Sequence, residues 1–167
     1  MTRLIAGIDE AGRGPVIGPL VIAGVLIQED QVHNLVEIGV KDSKKLSPKK
    51  REELSHLIRK IVVKLLHVEV PAKEIDNRIK MRLTLNRLEA KKIASMINKL
   101  HPDRVYIDCP DVNPKRFGEW LRNKVKSKRV EIIVMHYADE NIPIVSAASI
   151  MAKVRRDQRV KELAEGF

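Results

Sequence analysis

Three short apolar runs in this sequence each end in acid, and that recurrence constrains the fold more than any other feature. Leu4 to Ile8 leads into Asp9-Glu10, and Arg104 to Ile107 closes on Asp108. Glu131 to Met135 is followed by His136-Tyr137-Ala138-Asp139, with Glu140 next. The runs are rich in Ile and Val, too short and too β-branched for helices, so they read as strands. Pro19 to Ile27 and Ile61 to Val70 read as two more. Ser47-Pro48 starts a helix, an N-cap serine followed by proline at the first helical position, that should reach about Arg59. A short helix is expected over Lys73 to Lys80 and a longer one over Thr84 to Leu100. In the longer one Leu85, Leu88, Ile93, Ile97 and Leu100 recur at helical spacing. Pro114 to Lys126 reads as a surface helix. From Pro143 onward, Ala147, Ile150, Met151 and Val154 mark the apolar face of a last one. Strand and helix alternate in the second half, which predicts parallel strands joined by crossovers; the opening strands predict antiparallel neighbours. The expectation is an α/β domain over residues 1–167, a mixed five-stranded sheet with flanking helices. No repeat, low-complexity tract or linker interrupts it.

If the acid-bearing strands are parallel, their C-terminal ends share one sheet edge, where ligands bind in open α/β sheets. Carboxylates gathered there repel one another and must hold protons or cations. All-oxygen ligands favour hard ions such as Mg²⁺ or Mn²⁺. Two such ions about 4 Å apart can activate a water and stabilise a leaving oxygen at phosphorus. Asp9 and Glu10 are adjacent, and adjacent strand residues face opposite ways. Both reach one metal site only if the chain turns right after Asp9, a bend that Gly12 and Gly14 permit.

The chain carries 32 Lys and Arg against 22 Asp and Glu, a net charge of +10, which suits a polyanionic partner. The run Lys41, Lys44, Lys45, Lys49, Lys50 and Arg51 can grip phosphates or simply be a solvated face. No Walker motif, complete dinucleotide-binding pattern or Gly-x-Ser-x-Gly elbow is present. His33, His56, His67, His101 and His136 show no zinc-ligand spacing with each other or with Cys109. The lone Cys109 is expected to be a buried small residue, and Trp120 to pack rather than stack on bases. No signal peptide or membrane span is visible, so a reducing, cytoplasmic setting is expected. Two readings remain open at this level. One is a metal-dependent phosphoryl-transfer enzyme, the other a basic nucleic-acid-binding domain whose acids are caps and turns.

Asp9-Glu10-Ala11-Gly12-Arg13-Gly14 resembles the signature of type 2 ribonuclease H, in an archaeal style. So do Lys41-Asp42-Ser43-Lys44-Lys45-Leu46, Tyr106-Ile107-Asp108, and Ala138-Asp139 followed by Val145-Ser146-Ala147-Ala148-Ser149-Ile150 and Ala152-Lys153-Val154. The resemblance runs from residue 4 to about 159. It implies a ribonuclease-H-like fold and endonucleolytic cleavage of RNA paired with DNA. It also implies incision at single ribonucleotides in duplex DNA, leaving 3′-hydroxyl and 5′-phosphate ends, with two Mg²⁺ or Mn²⁺ ions during catalysis. The family's metal-binding acids map onto Asp9, Glu10, Asp108 and Asp139. Its ribose-contacting element maps onto Gly12, Arg13 and Gly14, and backbone contacts onto Lys44, Lys45, Asn86, Ser146, Ser149 and Lys153. The implied partners are RNA–DNA hybrid and ribonucleotide-containing duplex DNA, with the enzyme a monomer and a sliding clamp contacted through a C-terminal tail absent here. Family members usually continue into a glycine-rich segment whose tyrosine packs on the scissile ribose; Tyr106 and Tyr137 do not match that position. Helices follow that segment in the family, and a chain without them is expected to expose apolar surface on its last helix around Ile150, Met151 and Val154. The alternative expectation is an inactive or weakly active fragment that only binds hybrid duplex through its basic surface.

Overall fold

The computed structural model describes residues 2–13, 18–41, 43–80 and 84–166. Gly14 and Asp42 therefore lie outside the described residues. Five strands form one mixed sheet: β1 (Leu4–Ala11), β2 (Leu20–Gln28), β3 (Lys64–Val70), β4 (Arg104–Asp108) and β5 (Glu131–Met135), in the order β3-β2-β1-β4-β5. β1, β2 and β3 are antiparallel neighbours, while β4 runs parallel to β1 and β5 parallel to β4. The sheet is thus antiparallel where hairpin-like strands succeed one another and parallel where helices cross over, as expected.

The helices are α1 (Val32–Ile38), α2 (Pro48–Ile61), α3 (Ala72–Lys80), α4 (Leu85–Leu100), α5 (Pro114–Lys124), α6 (Ala138–Asn141) and α7 (Pro143–Glu165). Their starts follow local chemistry. Ser47 and Thr84 accept from Lys50 N and Arg87 N at 3.1 and 3.2 Å, and Asn113 accepts from Arg116 N at 3.0 Å. Two differences from the sequence reading have plain causes. Ile61 belongs to α2, because Leu54, Ile58 and Ile61 share a helical row and pairing with β2 begins only at Lys64. The seven-residue α1 is too short for periodicity to reveal; Gly39 ends it at φ +86°.

The core has two layers. Even-numbered β1 residues Ala6 and Ile8 face α4 and α5 with Val105 and Ile107, whereas Ile5 faces α7. α7 lies directly on β1 and β2, and α1 and α2 cover its far side. That position buries Ile150, Met151 and Val154, which are 0, 1 and 7% exposed. The expected apolar exposure there is absent, because those side chains pack on the sheet and on α2 rather than outward. The approach of α7 is close. A Cβ on Gly7 would lie 2.5 Å from the backbone carbon and oxygen of Ile144. The missing side chain sets the height at which α7, and the loop before it, sit above the sheet.

Candidate active site

The parallel register decides which acids meet. Ile8 pairs with Ile107, so Asp9 and Asp108 occupy the next step of neighbouring strands and point to the α7 side. β5 ends at Met135, and the chain then turns through Tyr137 into α6, delivering Asp139 to the same edge. One carboxylate oxygen from each of Asp9, Asp108 and Asp139 lies within 4.8 Å of the others. Two further bonds fix this edge. The Ala138 N–H donates to Asp108 Oδ1 at 3.2 Å, and Ser146 Oγ donates to the Asp139 carbonyl at 2.6 Å.

Glu10 stands apart. β1 continues as a strand through Ala11, so no turn follows Asp9 and the two acids face opposite sides of the sheet. The turn comes at Gly12, with φ +92°. Glu10 instead meets Glu89 of α4, which is fully buried. Arg13 bridges them, donating to Glu89 Oε1 at 2.8 Å and lying 3.8 Å from Glu10 Oε1. Arg13 also donates to Asn86 Oδ1, and Asn86 donates to Asp111 at 3.0 Å. Asp111 in turn accepts two bonds from Arg116, at 2.8 and 2.9 Å. This carboxylate and guanidinium chain was not foreseen. Its one legible trace is that Glu89 lies on the otherwise apolar row Leu85, Ile93, Ile97 of α4.

All four sequence-predicted acids nonetheless line one open cleft of about 540 Å³. Arg13, Lys44, Arg51, Ser149, Lys153 and Arg156 line it too. Lys44 Nζ lies 3.7 Å from Asp139 Oδ2 and donates to Glu140 at 3.1 Å. Lys153 Nζ donates to Ser43 Oγ at 3.3 Å, and Ser43 is 3.4 Å from Ser149 Oγ. Gly12 is at the rim, where a Cβ would strike the Arg156 side chain at 2.2 Å and the Pro19 carbonyl at 2.9 Å. The other predicted contacts are placed differently. Lys45 is exposed on a single 3₁₀ turn outside the cleft lining. Asn86 is committed to Arg13 and Asp111. Ser146 is fully buried with its hydroxyl spent on backbone carbonyls, so it shapes the Asp139 turn rather than facing a ligand. Cys109 is half-buried at the cleft rather than buried, and Trp120 packs edge-on to Phe117, as expected of a core contact.

The electrostatics test whether a cation fits. Burial pushes Asp9 well above the usual carboxylate range, and Asp108 adds to the effect. Burial likewise raises Asp108, with Asp139 beside it. Burial and the neighbouring Glu89 push Glu10 well up. Among the described residues, buried Glu89 Oε2 has no hydrogen-bond partner. Acids this crowded are ionised together only when positive charge joins them. An all-oxygen set of this kind fits a hard divalent cation.

The fold and the acid cluster together define a ribonuclease-H-like, metal-dependent hydrolase. The family model for ribonuclease HII matches residues 6–166. Ribonuclease HII of Methanosarcina acetivorans is 47% identical over 166 residues, covering 96% of this chain and 74% of that protein. The crystal structure of ribonuclease H2 from Pyrococcus horikoshii superposes with a TM-score of 0.90 at 44% identity, over 97% of this chain and 76% of that one. RNase HII of Archaeoglobus fulgidus, solved in a complex with PCNA, gives 0.89 at 42%, over 98% and 76%. This chain belongs to the ribonuclease HII family.

Proposed function

We propose that this protein is an endoribonuclease that cuts the RNA strand of RNA–DNA hybrids and incises duplex DNA at single embedded ribonucleotides. The products are a 3′-hydroxyl and a 5′-phosphate. The observation that carries this reading is the convergence of Asp9, Asp108 and Asp139 in a cleft that Arg13, Lys44, Arg51, Lys153 and Arg156 also line. Asp9, Glu10, Asp108 and Asp139 would hold two Mg²⁺ or Mn²⁺ ions. Such ions, when bound, supply an activated water and neutralise charge developing at phosphorus.

The chain's own groups do the rest. Lys44 and Lys153 face the acids from opposite elements and bind the phosphates on either side of the scissile one. Burial lowers the pKa of Lys153, so a phosphate that restores its charge balance is a favourable occupant. The Gly12 turn lets backbone N–H groups approach the sugar, where a 2′-hydroxyl distinguishes RNA from DNA. The Arg13 side chain holds that turn through Glu89 and Asn86 instead of reaching the sugar. Ser149 lies on the cleft wall. The enzyme acts as a cytoplasmic monomer. A sliding-clamp contact is proposed by analogy with the Archaeoglobus fulgidus complex.

The test is cleavage of end-labelled duplexes with Mg²⁺, Mn²⁺ or chelator. The substrates are an RNA–DNA hybrid, a DNA duplex with one ribonucleotide, and all-DNA. Metal-dependent cutting of the first two alone is expected. Hybrid binding with no cleavage in either metal would replace this reading with that of a duplex-binding protein.

A further inference from the structure

The stretch that joins α5 to β5 carries positive charge that nothing around it neutralises. It reads Lys124-Val125-Lys126-Ser127-Lys128-Arg129, with no acid in it. Lys124, Lys126, Lys128 and Arg129 are all exposed, and none forms an ion pair among the described residues. Arg3 and Arg104, at the same end of the sheet, are by contrast answered by Glu131, at 3.6 and 2.7 Å. The loop charges are also held in place. Asn98 of α4 donates to the Lys124 carbonyl at 3.3 Å and accepts from the Lys126 N–H at 2.9 Å. Arg122 of α5 donates to the Ser127 carbonyl at 3.2 Å and to the Val130 carbonyl. With its backbone tied from both helices, the loop loses its conformational freedom on folding rather than on binding.

Between this loop and the end of α4 lies a recess of about 280 Å³, walled by Asn98, His101, Lys126, Ser127 and Arg129. Its apolar lining, Ile97, Pro102, Val125 and Val130, is buried, so it offers a partner protein no apolar anchor. No Phe, Tyr or Trp occurs in residues 97–103 or 124–130, so unpaired bases have nothing to stack on. What remains accessible is positive charge, and a duplex phosphate backbone requires nothing more.

The recess is remote from the cleft. β4 and β5 run parallel, and the acid edge lies at their C-terminal ends. Asp103 and Val130 of the recess stand at their N-terminal ends, and no residue lines both cavities. The five residues of β4, at about 3.3 Å each, part the two ends by roughly 15 Å. A duplex is too stiff to turn from one end to the other within a short site.

We propose that this loop is a second duplex-binding surface, which takes the phosphate backbone of a separate DNA segment while the cleft holds its own substrate. Lys126, Lys128 and Arg129 hold the phosphates without reading sequence, so one protein bridges two segments of a long DNA. The bridge, though not the surface itself, rests on the proposed function.

The test loads protein onto an immobilised short RNA–DNA hybrid, with Ca²⁺ in place of Mg²⁺, and measures capture of a fluorescent all-DNA duplex from solution. Wild type is compared with the triple variant Lys126→Ala, Lys128→Ala, Arg129→Ala. The triple variant should load hybrid within about twofold of wild type, capture about tenfold less duplex, and show a salt slope of capture flatter by roughly three units. The charge-conserving variant Lys126→Arg, Lys128→Arg, Arg129→Lys should capture as wild type does, and its failure would make the loss structural and overturn the proposal. Equal capture by wild type and the triple variant, or no capture by wild type, would overturn it too. So would a matching loss of hybrid loading and capture, which would merge the loop with the cleft. Retention of an oligo-glutamate peptide by wild type alone, with no duplex captured, would replace it with an acidic protein partner. If wild type loads no hybrid, the proposed function fails, and anisotropy of the all-DNA duplex alone decides the surface. Binding about tenfold weaker in the triple variant then supports it, and equal binding overturns it.

Discussion

Replacing Gly7 with alanine should disable the site from a position that touches no ligand. The added methyl would stand 2.5 Å from the Ile144 backbone carbon and oxygen and 2.7 Å from Val145 N. Ordinary contacts between such atoms are about 3.5 Å, so α7 must withdraw by roughly 1 Å. Both partners are backbone, and neither can swing aside. Overpacking of a rigid core costs about 1–3 kcal/mol, and the upper end applies here. For a chain of this size that corresponds to a fall in melting temperature of roughly 6–12 °C. α7 also carries Ser149 and Lys153, and the turn before it carries Asp139. A displacement of about 1 Å at a reacting centre can lower the rate about a hundredfold. Gly24→Ala is the control. Its methyl meets Met96 Sδ at 2.3 Å and Cγ at 2.9 Å, a flexible thioether side chain on the opposite face of the sheet. Circular dichroism melting and hybrid cleavage should show Gly7→Ala impaired in both, and Gly24→Ala little changed in rate. A Gly7→Ala protein with wild-type melting and cleavage would refute the claim that this contact sets the position of Asp139.

Other consequences are equally open to measurement. Asp9, Glu10 and Asp108 have raised native pKa values, so without metal the native state binds more protons than the unfolded chain between the ordinary carboxylate range and those raised values. Their contribution to stability is therefore full at low pH and lost as pH rises through the raised values. Asp108→Asn should accordingly gain melting temperature over wild type as pH rises in chelator, and a difference constant from pH 4 to 8 would contradict this. Glu89→Leu strands Arg13 and should lose cleavage at a single ribonucleotide by tenfold or more while Glu89→Gln, which keeps an acceptor for Arg13, loses less; equal losses would remove Arg13 from the explanation. Lys44→Ala and Lys153→Ala should each flatten the dependence of log hybrid affinity on log salt by about one unit, with Lys45→Ala unchanged. A slope altered only by Lys45→Ala would move the phosphate track out of the cleft.

The acid-ended strands were legible because apolar runs of strand length need only parallel pairing to bring their last residues to one edge. Asp9 and Asp108 follow from that rule alone; Asp139 stands four residues past the end of β5 and needs the turn through Tyr137 into α6 as well. Glu10 does not follow, because its side of the sheet is set by where β1 stops, and the strand outlasts Asp9 by two residues. Glu89 left a trace as a charge on an apolar helical row, yet its partners come from β1 and the Gly12 turn, distant in sequence. Resemblance placed Ser146 among the substrate contacts; its burial beneath Asp139 depends on how closely α7 lies on Gly7, which no local pattern reports.

The central claim is that Asp9, Asp108 and Asp139 form one divalent-cation site. Its most direct test is a calorimetric titration of Mn²⁺ into the wild-type protein and into Asp108→Asn, at pH 7.5 without nucleic acid. The account predicts saturable binding by wild type and its loss, or weakening by at least an order of magnitude, in the variant. Identical isotherms for the two proteins would contradict it.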